Sequence, residues 1–176
     1  MIGVMPGTFN PPTYAHLEMA RVAVAQAGLQ RVDWTMSNIS LGKETLRHPT
    51  VAERATVLRS IAEDHDWLDI VVTDQQLVTD IAIGYDVLIL GADKWAQVND
   101  PRWYGDTTTF DAAMTSLPRC ILVAPRHGMN DPAPGRATQL DIDARYTLMS
   151  STLARTSDPQ LMLPQAAASG LWAINS

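Results

Sequence analysis

The chain has 176 residues, of which 46% are hydrophobic and 18% charged, and a formal net charge of −6. That length and composition suit one globular domain and exclude a disordered chain, while the acidic balance argues against a general nucleic-acid binder. One cysteine, Cys120, excludes an internal disulfide, and no apolar run is long enough to cross a bilayer.

In chain order, a strand is predicted near Met1–Met5, then a Gly/Pro-rich turn. A helix follows from Thr13 to Ala27, with Leu17, Ala20, Val24 and Ala27 at helical spacing and Gly28 as its C-terminal cap. A second strand covers Val32–Met36, and a polar loop Ser37–Pro49. Thr50-Val51-Ala52-Glu53 then has the form of a capping box, opening a helix that carries Ala55, Leu58 and Ile61 on one side. Asp69–Thr73 reads as a third strand with Leu68–Val72 as its core, Leu77–Ile83 as a helix, Val87–Leu90 as a fourth strand and Cys120–Ala124 as a fifth. Residues His127–Asp143, rich in Pro, Gly and Asp, read as a mobile loop. Short structure near Tyr146–Met149 leads to a Ser/Thr-initiated helix, and Leu163–Ile174 reads as a packed C-terminal helix. Strands alternating with helices predict an α/β fold: a Rossmann-like three-layer sandwich with a mostly parallel sheet of five or six strands, residues 1–176 forming a single domain. Ligands of such sheets gather at the C-terminal strand ends.

Two segments at such positions carry chemistry. After the first strand comes Gly7-Thr8-Phe9-Asn10-Pro11-Pro12-Thr13-Tyr14-Ala15-His16. Gly7 allows a close backbone approach, and Thr13 and His16, three apart, share a helix N-terminus, where a phosphate is stabilised by free N–H groups. His16 has a ring N–H to offer a departing phosphate. Taken alone, Thr13 is equally a plain N-cap and His16 an ordinary first-turn residue. There is no Walker A sequence and no G-x-G-x-x-G at this turn. Near the other end lies Ser150-Ser151-Thr152-Leu153-Ala154-Arg155. On a helix Arg155 shares a face with Ser151 and Thr152, so hydroxyls and guanidinium can surround one polyphosphate; a capped helix with a surface arginine reads the same way.

The first segment resembles the G-x-F-x-P-x-H-x-G-H signature of the nucleotidylyltransferase superfamily, with Thr13 at the first His and Ala15 at the Gly. The Thr-x-x-His form is similar to that of the branch acting on pyridine mononucleotides. The second segment resembles the superfamily's I-S-S-T-x-x-R signature, with Met149 at the Ile. The resemblance implies that Gly7, Thr8, Phe9, Thr13, His16, Ser150, Ser151, Thr152 and Arg155 bind ATP. It also implies that Gly91 and Asp93 form a ribose-binding turn and that Arg126 approaches the nucleotide. Lys43 would contact phosphates, with Arg47 a weaker candidate and His48 part of a turn. Trp103, or in competition Trp95, would stack on a nicotinic ring.

The implied reaction is adenylyl transfer from ATP to nicotinate or nicotinamide mononucleotide with release of pyrophosphate. His16, Arg155, Lys43 and Thr13 would stabilise charge, and Mg²⁺ would be held by ATP and water. Alternatives are another phosphorylated acceptor such as phosphopantetheine, or a nucleotide-binding regulator without catalysis. The remaining expectations are no protein metal ligands, no nucleic-acid or membrane partner, a possible homo-oligomer and a cytoplasmic location.

Overall fold

The computed structural model describes residues 1–39, 48–129 and 135–173. Six strands, β1 (Ile2–Pro6), β2 (Arg31–Ser37), β3 (Leu68–Thr73), β4 (Val87–Gly91), β5 (Cys120–Ala124) and β6 (Thr138–Gln139), form one sheet in the order β3-β2-β1-β4-β5-β6, with every pairing parallel. The order reverses between β1 and β4, so a crevice opens beyond their C-terminal ends, at Pro6 and Gly91.

Alternation along the strands divides the core in two. Met5, Trp34, Ile70, Ile89 and Leu122 face α1 (Tyr14–Ala27), α2 (Val51–Ala62), α6 (Ser151–Thr156) and α7 (Pro164–Ser169). Val4, Leu88, Leu90, Ile121 and Val123 face α3 (Val78–Ile81), α4 (Ala92–Val98) and the end of α5 (Thr107–Ser116). A buried parallel sheet needs apolar side chains on both faces, which is why β4 and β5 read as unbroken hydrophobic runs. This is the predicted three-layer α/β sandwich.

Local signals fall where the sequence put them. Gly28 ends α1 in the left-handed region at φ 62°. Thr50 and Glu53 bond reciprocally at the start of α2, with Thr50 N–H donating to Glu53 Oε2 at 2.7 Å. Ala55, Leu58 and Ile61 are all buried.

Three departures matter. The segment expected to be a mobile loop contains β6, and Leu140 beside it is wholly buried. Two residues make too short a strand for any pattern. Its support is tertiary: Leu140 N–H donates to Val123 O at 2.8 Å, and the Gln26 side chain of α1 brackets Gln139 and Asp141. Helices α4 and α5, not foreseen, fill the stretch between β4 and β5. The expected C-terminal helix is shorter than predicted, ending at Gly170, after which Trp172 turns back into the core. Among the described residues no helix is long and apolar enough to cross a membrane.

Candidate active site

The loop after β1 is held from outside. Gly7 N–H continues the sheet by donating to Thr35 O at 3.0 Å. Beyond it, successive carbonyls are claimed by other elements: Thr8 O by the buried Arg54 guanidinium of α2, Asn10 O by Arg155 of α6, Pro11 O by Ser151 Oγ at 2.7 Å and Pro12 O by Leu163 N–H at 3.2 Å. The Asn10 side chain is fixed as well, accepting from Trp172 Nε1 at 2.5 Å. Carbonyl oxygens repel a phosphate, so committing them to the protein leaves a backbone suited to an anion.

Phe9 adopts φ 44°, uncommon for a residue with a side chain. Its ring is wholly buried and stacks on Trp34 with centroids 4.8 Å apart. From that position the Phe9 side chain shapes the loop from beneath. It also explains Gly7, because a Cβ there would lie 2.9 Å from the Phe9 ring, which has no room to move. Gly7→Ala is expected to destabilise the protein by about 1–3 kcal/mol, read from the urea-unfolding midpoint, as overpacking of a rigid site does.

Thr13 caps α1 with both its groups on His16: Thr13 N–H donates to Nδ1 at 3.0 Å, and Oγ1 lies 2.8 Å from the same nitrogen. An Nδ1 that accepts from an amide carries no proton, so the neutral ring holds its hydrogen on Nε2, the donor left for a ligand. Burial, and secondarily the Arg126 charge, push the His16 pKa down to about 4, with Asp93 partly opposing. The ring is therefore neutral at pH 7.

This has a measurable consequence for stability. The unfolded ring protonates near 6.5, the folded ring only near 4. The contribution is fully present above 6.5 and is lost as the pH falls toward 4, amounting to roughly 3 kcal/mol in all. By pH 5.5 the wild type should lose on the order of 1 kcal/mol more than His16→Gln, relative to pH 7.5. Urea unfolding of both proteins at the two pH values measures the difference.

Two clefts meet at this loop. The larger, of about 320 Å³, is lined by Gly7, Thr8, Thr13 and His16 of the β1–α1 segment, by Gly91 and Asp93 after β4, by Arg126 after β5, and by Ser150, Ser151 and Thr152 at the start of α6. The structure thus brings parts of the two signature segments together with Gly91, Asp93 and Arg126 from the stretch between them. Arg126 donates to Met149 O at 2.7 Å, tying the end of β5 to the turn before α6. The smaller cleft, of about 100 Å³, is lined by Ser37, Leu77, Gln97, Trp103 and Tyr104 among others. Trp103 is 36% exposed. Pro6, Gly7, Thr8 and Lys94 line both clefts.

Two candidate residues lie away from the larger cleft. Trp95 is 1% exposed within the second core cluster and lines neither cleft, whereas Trp103 lines the smaller one. Arg155 does not line the larger cleft; its guanidinium reaches the Asn10 carbonyl and clamps the loop instead. Lys43 and Arg47 lie outside the described residues.

Residues 4–157 match the family described as cytidylyltransferase-like. The chain belongs to this family of nucleotidylyltransferases. Among its relatives, a probable nicotinate-nucleotide adenylyltransferase of Listeria innocua is 29% identical over 117 residues, covering 58% of this chain and 61% of that protein. The chain therefore spans about three fifths of that relative's length. A protein of the same name from Cereibacter sphaeroides is 26% identical over 144 residues, covering 73% and 70%. The fold is shared with Plasmodium falciparum nicotinic acid mononucleotide adenylyltransferase. In complex with NaAD that enzyme aligns at a TM-score of 0.63 and 12% identity, over 97% of this chain and 96% of that one; in complex with APC the TM-score is 0.64.

Within this family member, three site residues escaped the sequence reading. Arg54 sits in an amphipathic helix, where an arginine ordinarily marks the solvent face; only its tertiary position reveals the buried contact with Thr8. Trp172, 162 residues from Asn10, had no local signal. Lys94 directly follows the Gly91-Ala92-Asp93 turn, and its place after a strand end could have drawn attention.

Proposed function

We propose that the protein transfers the adenylyl group of ATP to a pyridine mononucleotide, in the nicotinate or nicotinamide form, releasing pyrophosphate. The observation that carries this reading is the pair of clefts joined at Pro6, Gly7, Thr8 and Lys94. One is polar, with the neutral His16 and the cationic Arg126 in its lining; the other is narrow and bears the half-exposed Trp103. A transferase that moves a group between two substrates needs two compartments meeting at the reacting atom. The names of the relatives support the nicotinate form.

In this reading ATP occupies the larger cleft, with its polyphosphate along residues 7–13 and Ser150–Thr152. Asp93 accepts from ribose hydroxyls, and the Trp103 face stacks on the electron-poor ring of the acceptor. An oxygen of the acceptor phosphate attacks the α-phosphorus in line. The bond from that phosphorus to the β-phosphate bridging oxygen breaks, and pyrophosphate takes the electron pair. The attacking phosphate is already ionised, so no general base is required, and positioning and charge stabilisation carry the catalysis. His16 Nε2–H is a preorganised donor to the charge that grows on the departing side. Mg²⁺ bound to the polyphosphate would neutralise part of that charge. Asp93 is the carboxylate among the described lining residues of the larger cleft, and no described cluster of three or more His, Cys, Asp or Glu could cage a metal, so the donors fit an ion carried in by the nucleotide and water.

Pyrophosphate release with ATP and Mg²⁺ is expected with nicotinate mononucleotide and less, or not at all, with phosphopantetheine. Trp103→Ala should raise the KM for the pyridine mononucleotide by about tenfold, the loss of one stacking face, with little change in the KM for ATP. Turnover of phosphopantetheine alone would overturn the acceptor assignment. ATP binding without pyrophosphate release across the panel would overturn catalysis.

A further inference from the structure

In α2 the buried positions Arg54, Val57, Leu58 and Ile61 recur at i, i+3, i+4 and i+7, so a guanidinium occupies the first place of the apolar stripe. Arg54 is 3% exposed. Taking a cation out of water is costly, and burial pushes its pKa below the ordinary arginine value, although the group keeps its charge. An apolar residue there would serve the core as well or better. The guanidinium instead joins two segments. Nε donates to Thr50 O at 3.4 Å, in the cap of its own helix, and Nη1 donates to Thr8 O, 46 residues away in the loop after β1. A helix pattern broken at the residue that reaches a candidate site marks a functional position.

Thr8 lines both clefts, whereas Arg54 lines neither, so the Thr8 carbonyl is held on a group outside the space the substrates would fill. The flanking residues are fixed as well: Gly7 N–H donates to Thr35 O at 3.0 Å, and the Phe9 ring is buried on Trp34. Between them the peptide plane linking Thr8 and Phe9 can still turn, because a flip changes Thr8 ψ and Phe9 φ in opposite senses and leaves the rest of the chain in place. The Phe9 φ of 44° is sparsely populated for a residue with a Cβ, and a flipped plane returns it to negative φ. The same turn carries the Thr8 carbonyl off Arg54 and toward the clefts. From this geometry we propose that Arg54 is a positioning residue: it locks the Thr8–Phe9 peptide and keeps the Thr8 carbonyl from the phosphates where the two substrates meet. The inference rests on the adenylyl-transfer reading and deepens it by naming what holds the backbone at the reacting centre. A carbonyl oxygen turned inward would set the negative end of a dipole beside the α-phosphorus and the attacking phosphate oxygen. It would oppose the transition state, in which the two charged groups are closest, more than it opposes either substrate bound alone. Arg54 itself touches no substrate and takes no part in the proton or electron balance.

The test separates alignment from stability. Pyrophosphate release is measured with ATP, Mg²⁺ and whichever of nicotinate mononucleotide, nicotinamide mononucleotide and phosphopantetheine the wild type turns over. The proteins compared are the wild type, Arg54→Met, Arg54→Lys and Ile61→Val. Met fills the site without a donor, Lys keeps a charged donor, and Ile61→Val loosens the same helix without touching Thr8. Thermal melts of the same samples give the folded fraction, and rates are taken per folded molecule. Arg54→Met should lower kcat by about tenfold to a hundredfold, the loss expected when reacting groups are misplaced by about an ångström. The KM for either substrate should change by about threefold or less. Arg54→Lys should fall between Met and the wild type, and Ile61→Val should keep the wild-type kcat. If Arg54→Met does not fold, Arg54→Lys decides: one ammonium replaces a fork that reaches two carbonyls, so kcat should lie about threefold to tenfold below the wild type. A wild-type kcat in folded Arg54→Met, or in Arg54→Lys where Met does not fold, would overturn the proposal and leave Arg54 a structural staple. An equal loss of kcat in Ile61→Val would also overturn it, tracing the effect to the helix as a whole. So would a rise in KM with kcat unchanged, because the carbonyl would then act on binding alone. If the wild type releases no pyrophosphate with any of the three acceptors, the adenylyl-transfer reading falls and the role of Arg54 in it falls too; an active wild type beside an equally active Arg54→Met removes Arg54 alone.

Discussion

Replacing His16 by Ala should lower kcat by about a hundredfold to a thousandfold, the loss associated with one preorganised donor to a charge that develops in the transition state. The KM for ATP should move little, because the bond to the departing pyrophosphate strengthens only as the reaction proceeds. The physical basis is the state of the ring. Thr13 N–H occupies Nδ1, which fixes the tautomer, and burial holds the pKa down to about 4. The ring is therefore a neutral N–H donor across the physiological range, and His16 should contribute no inflection near pH 6.5 to kcat/KM, which reports the free enzyme. Its removal also deletes part of the α1 cap, at a cost of about 1 kcal/mol, so the variant should remain folded. Steady-state rates with ATP and the acceptor, beside a thermal melt of the same sample, separate the two effects. Unchanged turnover in a folded His16→Ala protein would remove His16 from the mechanism.

Arg155→Met should have an effect of similar size by a different route. The guanidinium donates to the Asn10 carbonyl 145 residues away, and Ser151 Oγ holds the adjacent Pro11 carbonyl. A charge-assisted hydrogen bond of this kind contributes about 1.5–3 kcal/mol, and its loss frees a carbonyl to turn toward the polyphosphate. We expect kcat/KM for ATP to fall by about a hundredfold, with Ser151→Ala losing about tenfold, since a neutral hydrogen bond is roughly half as strong. The double variant should lose less than the product of the two, because both hold one loop. Arg155→Lys should restore little, lacking the planar fork. If Arg155→Met lowers only the melting temperature and leaves kcat/KM intact, the clamp is structural and has no bearing on nucleotide binding.

The two clamps show how far the sequence could be read. The signature segments were visible as residue types at fixed spacings, and so were the caps at Gly28 and Thr50. These are short-range features, in which each residue's role depends on neighbours a few positions away. The strand run Val87–Leu90 and the helix face Ala55, Leu58 and Ile61 were legible for the same reason: periodicity records which side of an element meets the core. The burial of Phe9 and Trp95 was not legible, because an aromatic side chain carries the same local signal in a core as on a ligand. Burial, which separates the two, belongs to the fold.

The sequence by itself determined an α/β chain with a parallel sheet, the signature spacing of the segment from Gly7 to His16, and the family to which the chain belongs. Only the tertiary structure decided which residues reach the clefts. It buried Phe9 on Trp34, placed the Arg155 guanidinium on the Asn10 carbonyl, bonded Trp172 to the Asn10 side chain, and set Lys94 where two clefts meet. The reason is that these contacts join elements separate in the chain, two of them more than a hundred residues apart, and no local pattern encodes a partner that only the packed sheet brings within reach.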